Sequence, residues 1–552
     1  MKKFFSVFLL TAVLAAPLPV LAQRSSAKPK SLASTAAARG ADLITPAQLR
    51  DYLTFIASDE MEGRDTPSRG LDTVAKFLAM NLSRWGFKPA GDDGSYLQRI
   101  VLRRDQLDAA ASSAEINGQK FTFGEDFLPT AVPATISGPL VYVGHGWMIK
   151  AKNIDSYKGV DVKDKIIVVF GEGLPKGVRQ TDLTGTRGED WANPLLYAQR
   201  HGALGVLAIP DAAMLSNWER IRQRAATRGA TIVEKFQTPT GRPVPAIWLS
   251  TNMATALFQG EKQEASSLLT QGNAGEAIEP FELSPGKKVT FTVGVKQEKM
   301  QTQNVLGVFE GSHPVLKNEY VALGAHYDHV GTGAAVNGDT IYNGADDDGS
   351  GTTALLAMAE ALARTKTRPK RSVLFVWHAG EEKGLWGSRY FTENPTIPLD
   401  RIVTQLNLDM IGRSKKEGDT APRNKDLSGP NQVYVIGSKM MSTKLGDLTE
   451  AVNKSYLNLT YDYRYDDPAD PNRFFFRSDH VNYARKGIPI VFFFDGVHED
   501  YHGRGDTADK IDYEKMGKIT RTIYMMMWEI ANLPTRPKVD KPLPPQLAPR
   551  TR

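Results

Sequence analysis

The chain contains the segment YVALGAHYD at residues 320–328, in which an apolar run leads directly into His326 and Asp328. Three later apolar runs end in a similar way: 373–376 precedes Glu381 and Glu382, 402–408 precedes Asp409, and 488–494 precedes His502. Ligands of open α/β sheets bind just beyond the carboxyl ends of the strands. We therefore expect these histidines and acids to meet in one site.

The spacing of apolar residues predicts an α/β fold whose sheet is covered by helices on both faces. Strand-like runs between 305 and 494 alternate with an amphipathic helix at 351–364, in which Ala354, Leu355, Met358 and Leu362 share one face. Continuous apolar strands that alternate with such helices are typical of a sheet buried on both sides. Earlier in the chain, Thr45 and Pro46 begin one predicted helix, and a second follows at 74–85.

An acidic, glycine-rich segment, Asn343-Gly344-Ala345-Asp346-Asp347-Asp348-Gly349-Ser350-Gly351, precedes the helix at 351–364. Taken alone it fits a turn that caps a helix, where carboxylates are favourable. The spacing of its acids does not fit an EF-hand calcium loop. The third reading is that it contributes a metal ligand.

The chain has no cysteine, so a transition-metal site must use histidines and carboxylates. These groups suit a pair of zinc ions, because one carboxylate can bridge two metals about 3.5–4 Å apart. Adjacent Glu381 and Glu382 suit divided roles, one as a metal ligand and one as a base. Gly380 and Gly384 predict an irregular turn that lets both side chains approach the site.

Five motifs, in order, resemble those of metallopeptidase family 28, the co-catalytic two-zinc aminopeptidases, whose relatives include glutamate carboxypeptidases. They are His326-x-Asp328, Gly344-Ala345-Asp346-Asp347-x-x-Ser350-Gly351, Glu381-Glu382-x-Gly384-x-x-Gly387-Ser388, Leu408-Asp409-Met410 and His502-x-x-x-Asp506-Thr507. The resemblance covers about 44–532, with the metal motifs within 304–510. It implies the zinc aminopeptidase fold, a mixed central β-sheet flanked by helices.

The resemblance also implies a role for each matching residue. His326 and Asp409 are expected to hold one Zn²⁺, Glu382 and His502 the other, and Asp346 is expected to bridge them. Glu381 is expected to be the general base. Asp328 and Asp347 are expected to support the ligands, Asp328 by orienting the ring of His326. The peptide bond between Asp346 and Asp347 is expected to be cis.

The sequence predicts six segments. A signal peptide at 1–22 and a flexible leader at 23–43 come first, and then an N-terminal helical part of the peptidase domain at 44–110. A β-rich insertion at 111–290 resembles a protease-associated domain, the zinc peptidase domain continues at 291–533, and a proline-rich tail occupies 534–552.

The N-terminus predicts export to the periplasm or the medium. Lys2 and Lys3 precede an apolar run, and small residues at 20–22 suit cleavage before Gln23. The run is short and ends at Pro17 and Pro19, which disfavours a membrane anchor. The net charge of +6 is dispersed among acidic residues, which argues against nucleic-acid binding. The sequence leaves the oligomeric state open.

The predicted activity is that of an exported zinc exopeptidase acting on peptide substrates, with an aminopeptidase as the leading hypothesis. A carboxypeptidase or dipeptidase on the same scaffold is the alternative, and a one-zinc cyclotransferase or a non-catalytic binding protein fits less well. Ser478-Asp479-His480 suggests a catalytic triad, but a triad depends on geometry and not on adjacency, so we expect a supporting role. We expect His329, His378 and His498 to support the site or its loops.

Overall fold

The computed structural model describes Met1, residues 35–171, 173–236, 243–276, 278–544 and Leu547. The predicted signal peptide, apart from Met1, and the first part of the predicted leader lie outside these residues. Within the described ranges, no helix combines the length and the apolar character needed to cross a membrane.

The N-terminal part consists of α1 (Thr35–Ala41), α2 (Pro46–Ile56), α3 (Arg69–Arg84), β1 (Lys88–Pro89) and β2 (Leu97–Leu107). Helix α2 begins as predicted, because the Thr45 hydroxyl accepts a hydrogen bond from the Gln48 amide. Residues 35–41 were predicted to belong to a flexible leader but form α1. The small side chains of Ala37 and Ala41 are fully buried there, which lets α1 pack closely against the helix Tyr513–Asn532.

The inserted part contains both strands and helices. Its elements are β3 (Ser113–Ile116), β4 (Gln119–Phe121), β5 (Phe127–Pro129), β6 (Ala134–Ile136), β7 (Leu140–Tyr142), β8 (Met148–Ile149), β9 (Ile154–Asp155), β10 (Ile166–Phe170), β11 (Trp191–Ala192), α4 (Pro194–His201), β12 (Gly205–Ile209), α5 (Ala212–Arg228), β13 (Ala230–Val233), β14 (Ala246–Leu249), α6 (Thr251–Phe258), α7 (Ala265–Ala274), β15 (Phe281–Glu282) and β16 (Val289–Val293).

The insertion is therefore less purely β-structured than the sequence predicted. Strands β7, β10, β12 and β14 are parallel neighbours in one sheet. Because such strands are apolar on both sides, helices must cover them, and Phe258 of α6 and Leu268 of α7 are buried in their core. Four helices, α4 to α7, thus lie in a segment that the sequence predicted to be β-rich.

The C-terminal part carries the remaining elements. They are β17 (Val295–Phe309), β18 (Tyr320–His326), β19 (Thr332–Val336), β20 (Asp339–Ile341), α8 (Gly351–Arg364), β21 (Ser372–His378), α9 (Trp386–Glu393), β22 (Ile402–Leu408), β23 (Gln432–Ile436), α10 (Ser438–Met441), α11 (Thr443–Ser455), β24 (Thr460–Asp462), α12 (His480–Ala484), β25 (Ile490–Phe494) and α13 (Tyr513–Asn532).

The central sheet is mixed, as the resemblance implied, with the order β13-β2-β17-β21-β18-β22-β25-β23-β24 and β1 beside β17. Its middle strands β21, β18, β22 and β25 are parallel, whereas β17 and β23 run antiparallel to their neighbours in that group. The carboxyl ends of the four parallel strands therefore lie along one edge.

Alternate residues of the central strands enter two separate cores. In β21, Val373, Phe375 and Trp377 join the core that includes α8 and α13. Leu374 and Val376 point to the opposite face, where they pack in the core that includes α12. This alternation explains why the strands are apolar throughout, and it fixes the register of each strand end.

The insertion leaves and rejoins the central sheet at one place. Strands β2 and β17 form a long antiparallel ladder in which Leu107 faces Val295. The chain between these residues builds the inserted sheets, and among its described residues only β13 returns to the central sheet, where it pairs with β2. Two adjacent strand ends thus anchor this segment.

We predict that Leu355→Ala lowers the free energy of unfolding by about 2–5 kcal/mol, because this fully buried residue of α8 fills the core against the sheet. Urea unfolding measures the change. Leu457→Ala is the matched control, because Leu457 is 37% exposed, and its effect should stay within about 0.5 kcal/mol. Equal destabilisation by the two substitutions would contradict this account of the core.

Candidate metal centre

The parallel strands bring the predicted residues to one edge of the sheet. His326 is the last residue of β18, and Glu381 and Glu382 follow β21 through a short turn. Asp409 directly follows β22, and His502 lies in the loop after β25. The convergence expected from four strand ends is therefore present in the structure.

The first half of the site contains His326, Asp409 and Asp347. The Nε2 atom of His326 lies 3.2 Å from Oδ1 of Asp347 and 3.6 Å from Oδ1 of Asp409. His326 is 1% exposed and Asp409 is 7% exposed, so neither group has much access to bulk water. One imidazole nitrogen and two carboxylates thus face a common point.

The second half contains His502, Glu382 and the other oxygen of Asp347. The Nε2 atom of His502 lies 3.0 Å from Oδ2 of Asp347 and 3.1 Å from Oε2 of Glu382. Because Oδ1 of Asp347 faces His326 and Oδ2 faces His502, this single carboxylate joins the two halves.

The structure contradicts the predicted bridging role of Asp346. Oδ1 of Asp346 accepts a hydrogen bond from the Gly412 amide at 2.7 Å, and Oδ2 lies 3.3 Å from Nε2 of His498. Both oxygens are thus turned away from His326 and His502. Asp347, predicted as a supporting residue, occupies the bridging position instead, and the cis peptide bond joins Asp347 and Asp348 rather than Asp346 and Asp347.

Asp348 also lies close to His326 and Asp409, but its oxygens are occupied. Oδ2 accepts a hydrogen bond from the His326 amide, and Oδ1 accepts from the amides of Gly351 and Met410. Asp348 therefore fastens the acidic segment to β18, α8 and the end of β22. Among the three consecutive aspartates, Asp347 alone presents both oxygens to the histidines.

Asp328 lies behind the ligands, as predicted. Nδ1 of His326 is 3.6 Å from the Asp328 carboxylate and 3.1 Å from the carbonyl oxygen of the same residue. The carboxylate also accepts a hydrogen bond from the Glu381 amide at 3.1 Å. Asp328 thus connects the ring of His326 to the turn that carries Glu381.

The charged groups of the cluster shift one another's pKa values. Burial lowers the pKa of His502, but the nearby carboxylates of Asp347 and Glu382 outweigh it and raise the pKa to about 10. Burial likewise lowers the pKa of His326, and the charges of Asp409 and Glu381 raise it well above 6.5. For Glu381, the loss of surrounding water raises the pKa well above 4.5, despite the nearby charge of His326.

The donors at this edge fit a pair of zinc ions. They are imidazole nitrogens and carboxylate oxygens, which zinc accepts in the absence of thiolates. Oδ2 of Asp347 and Oε1 of Glu382 are buried atoms with no hydrogen-bond partner in the structure. Buried acceptors without a donor are costly, and a cation at this place would satisfy them.

Comparison with known proteins agrees with this geometry. Residues 304–527 are similar to Peptidase family M28. A leucine aminopeptidase 2 from Arthroderma otae is 27% identical over 284 residues, which are 46% of this chain and 51% of the relative. An aminopeptidase from Pseudomonas aeruginosa is 28% identical over 319 residues, 57% of this chain and 52% of the relative.

The chain thus spans about half the length of these curated relatives. Among solved structures, an aminopeptidase from Aneurinibacillus sp. strain AM-1 has a TM-score of 0.50 at 16% identity, and the match covers 94% of this chain and 100% of that one. At this identity the similarity supports the fold alone.

Arg64 holds the loops of the M28 domain around the site, a role that the sequence analysis did not predict. Its guanidinium is fully buried and donates hydrogen bonds to the carbonyl oxygens of Ile56, Tyr327, Asn343 and Gly344. It therefore ties the loop after His326 to the acidic segment. The only signal in the sequence was an arginine in the turn that joins two helices.

His498 and Asp506 brace the acidic segment of the M28 domain from the other side. His498 contacts the Asp346 carboxylate, as noted above, in agreement with its predicted loop-bracing role. Asp506 accepts hydrogen bonds from the amides of Asp346 and Asp347. The sequence identified Asp506 as part of a motif. Its contacts with the backbone amides could not be predicted, because they depend on the path of the backbone.

A pair of substitutions tests which aspartate bridges the site. We predict that Asp347→Asn releases bound zinc during dialysis, because both halves of the site lose a charged ligand. Asp346→Asn should retain the zinc content of the wild-type chain, because its carboxylate contacts Gly412 and His498 instead. Elemental analysis of the dialysed proteins gives the answer. Zinc loss from the Asp346 variant alone would restore the original assignment.

Proposed function

We propose that the chain is a zinc-dependent exopeptidase, specifically an aminopeptidase that hydrolyses N-terminal residues from peptides and uses two Zn²⁺. The observation that carries this proposal is the Asp347 carboxylate, whose two oxygens face His326 on one side and His502 on the other. His326, Asp409 and Asp347 would hold one ion, and Asp347, Glu382 and His502 the other. The names of the curated relatives support the same activity.

Zinc supplies two kinds of chemistry in such a site, a lowered pKa of water and polarisation of the substrate carbonyl. Glu381 is the proposed general base and acid. It lines the same pocket as Asp347 and Asp409, and its high pKa suits a carboxyl group that takes up a proton from water. The same group can then return this proton to the leaving amine.

Tyr501 is the proposed hydrogen-bond donor to the developing oxyanion, a role that the sequence left open between Arg477, Tyr501 and zinc alone. It lines the pocket with Glu381, and burial together with the charges of Asp347 and Glu382 raises the pKa of its hydroxyl above 10. The phenol therefore stays protonated at neutral pH and can donate. Arg477 approaches the hydroxyl oxygen at 3.4 Å and helps to position it.

The pocket has an acidic end and an apolar end, which supports an aminopeptidase with apolar preference. Asp347, Glu381 and Asp409 form the acidic end, where a positively charged α-amine would be favoured. The remaining wall is apolar apart from Arg477 and the Tyr501 hydroxyl, and its apolar part consists of Met410, Phe474, Phe492, Phe494, Val497 and the ring of Tyr501. Such a wall favours an apolar N-terminal side chain over a charged one.

The position of Arg477 supports the alternative function, that of a carboxypeptidase or dipeptidase. Its side chain also lines the pocket, and a guanidinium there could bind the terminal carboxylate of a substrate. A carboxypeptidase or dipeptidase on this scaffold therefore remains the second candidate. We further propose that residues 111–290 form a protease-associated domain. We also propose that the chain is exported, and this second proposal rests on the N-terminal sequence alone.

We predict that Glu381→Gln lowers kcat by about 10²–10⁴-fold, because the variant cannot transfer the proton. Steady-state hydrolysis of leucine p-nitroanilide measures this, with zinc content determined in parallel. Glu393→Gln serves as the control, since Glu393 is exposed and pairs with Arg389 on the helix surface. A Glu381 variant with wild-type kcat would rule out the proposed base.

Peptides that differ only at their termini test which terminus of the substrate the enzyme recognises. We expect hydrolysis of Leu-Ala-Ala and little or none of its N-acetylated form, because acetylation removes the charge that the acidic end favours. Amidation of the carboxyl terminus should have little effect. The opposite result, tolerance of the acetyl group and loss of activity on amidation, would replace the aminopeptidase with the carboxypeptidase. Chelation of zinc should abolish either activity.

A further inference from the structure

His329 is a buried imidazole in the loop after His326 that the proposed ligand set does not use. It is 0% exposed, and neither of its ring nitrogens makes a hydrogen bond to any residue that the structure describes. Its Nδ1 atom lies 2.9 Å from Oε1 of Glu382 and 3.7 Å from Oδ2 of Asp347. An imidazole left without partners in the interior would be costly, so these contacts need an explanation.

The contact between His329 and Glu382 is not an ordinary hydrogen bond. Both Nδ1 of His329 and Oε1 of Glu382 lack a hydrogen-bond partner although they are close together, so their directions do not suit donation. Donor atoms that converge on one ion behave in this way. Ligand atoms of tetrahedral zinc, each about 2.0–2.1 Å from the metal, lie about 3.3 Å apart. This separation falls between the 2.9 Å from Nδ1 of His329 to Glu382 and the 3.7 Å from the same atom to Asp347.

The backbone is shaped to seat this ring. Gly344 has a φ of 59°, and a Cβ atom at this position would overlap the ring of His329. The His329 amide donates a hydrogen bond to the carbonyl of Arg64, so the residue is fixed at both ends. Its ring also lies beside that of His502, with 5.6 Å between their centroids. The ring therefore points at the position already assigned to Glu382 and His502.

We propose that His329 is a protein ligand of the metal position formed by Asp347, Glu382 and His502. This inference rests on the proposed two-zinc function. It gives that position two imidazoles and two carboxylates, whereas the position at His326 and Asp409 has one imidazole and two carboxylates. Zinc sites with four protein ligands are typically closed, and those with three keep an open place. The ion beside Glu381 is then the one left open for chemistry.

The four-ligand position should bind zinc more tightly than the three-ligand position, so the wild-type chain should release its two ions in two separate steps. Removal of His329 should selectively weaken the tighter step. A residue that only orients a ligand typically changes metal affinity by about 10–100-fold, so loss of a direct ligand should exceed about 100-fold.

The test uses the full chain with His329→Ala and His329→Gln, titrated with Zn²⁺ against a competing chelator and with Co²⁺ in the absorption spectrometer. His480→Gln is the matched control, because His480 is a buried histidine whose Nε2 contacts the carbonyl of Phe475, away from the carboxylates. We expect both His329 variants to lose more than about 100-fold in affinity at one position and to change the cobalt d–d bands. The control should match the wild type.

Three results would be adverse, and they are distinguishable. Two ions bound with wild-type affinities and spectra by both His329 variants would overturn the ligand role alone. A smaller loss of affinity with an unchanged cobalt spectrum would also overturn it, because that result marks a positioning residue. A wild-type chain that binds fewer than two ions would overturn the two-zinc proposal itself. Circular dichroism checks that each variant is folded. If His329→Ala does not fold, His329→Gln provides the second substitution.

Discussion

Negative charge at the carboxyl edge of the sheet is the constraint on which the rest of the structure depends. Asp347, Asp348, Glu381, Glu382 and Asp409 converge there in a largely water-free space. Two buried guanidinium groups beside the acidic segment are committed elsewhere, because Arg64 donates to carbonyl oxygens and Arg413 pairs with Asp500. Carboxylates in such surroundings are stable only when a proton or a metal compensates their charge.

Many elements of the fold hold these acidic residues in place. Backbone amides from β18, α8 and the end of β22 hold Asp348, and the amides of the acidic segment are in turn held by Asp506. Arg64 fastens the same loops from the N-terminal part of the chain. Because these contacts come from segments far apart in sequence, the site exists only when the whole sheet is formed. The burial of α8 and α13 against the sheet therefore supports the metal centre as well as stability.

Much of this architecture could be predicted from the sequence. The apolar runs located the parallel strands, the spacing of Leu355 and Met358 located α8, and the residues after each run located the site. The choice among Asp346, Asp347 and Asp348 could not be predicted, because three adjacent carboxylates are chemically equal and only the backbone path decides which one faces His326. His329 was expected only to support the site, since the direction of its ring depends on the space left by Gly344. The role of Arg64 was not predicted because its partners are backbone carbonyl oxygens, and every residue has one whatever its side chain.

The central claim is that two divalent cations share the carboxylate of Asp347. Anomalous scattering at the zinc edge, from crystals of the full chain grown with zinc, tests it directly. The account predicts two peaks on opposite sides of that carboxylate, one beside His326 and Asp409 and the other beside Glu382 and His502. A single peak, or peaks next to Asp346, would contradict it.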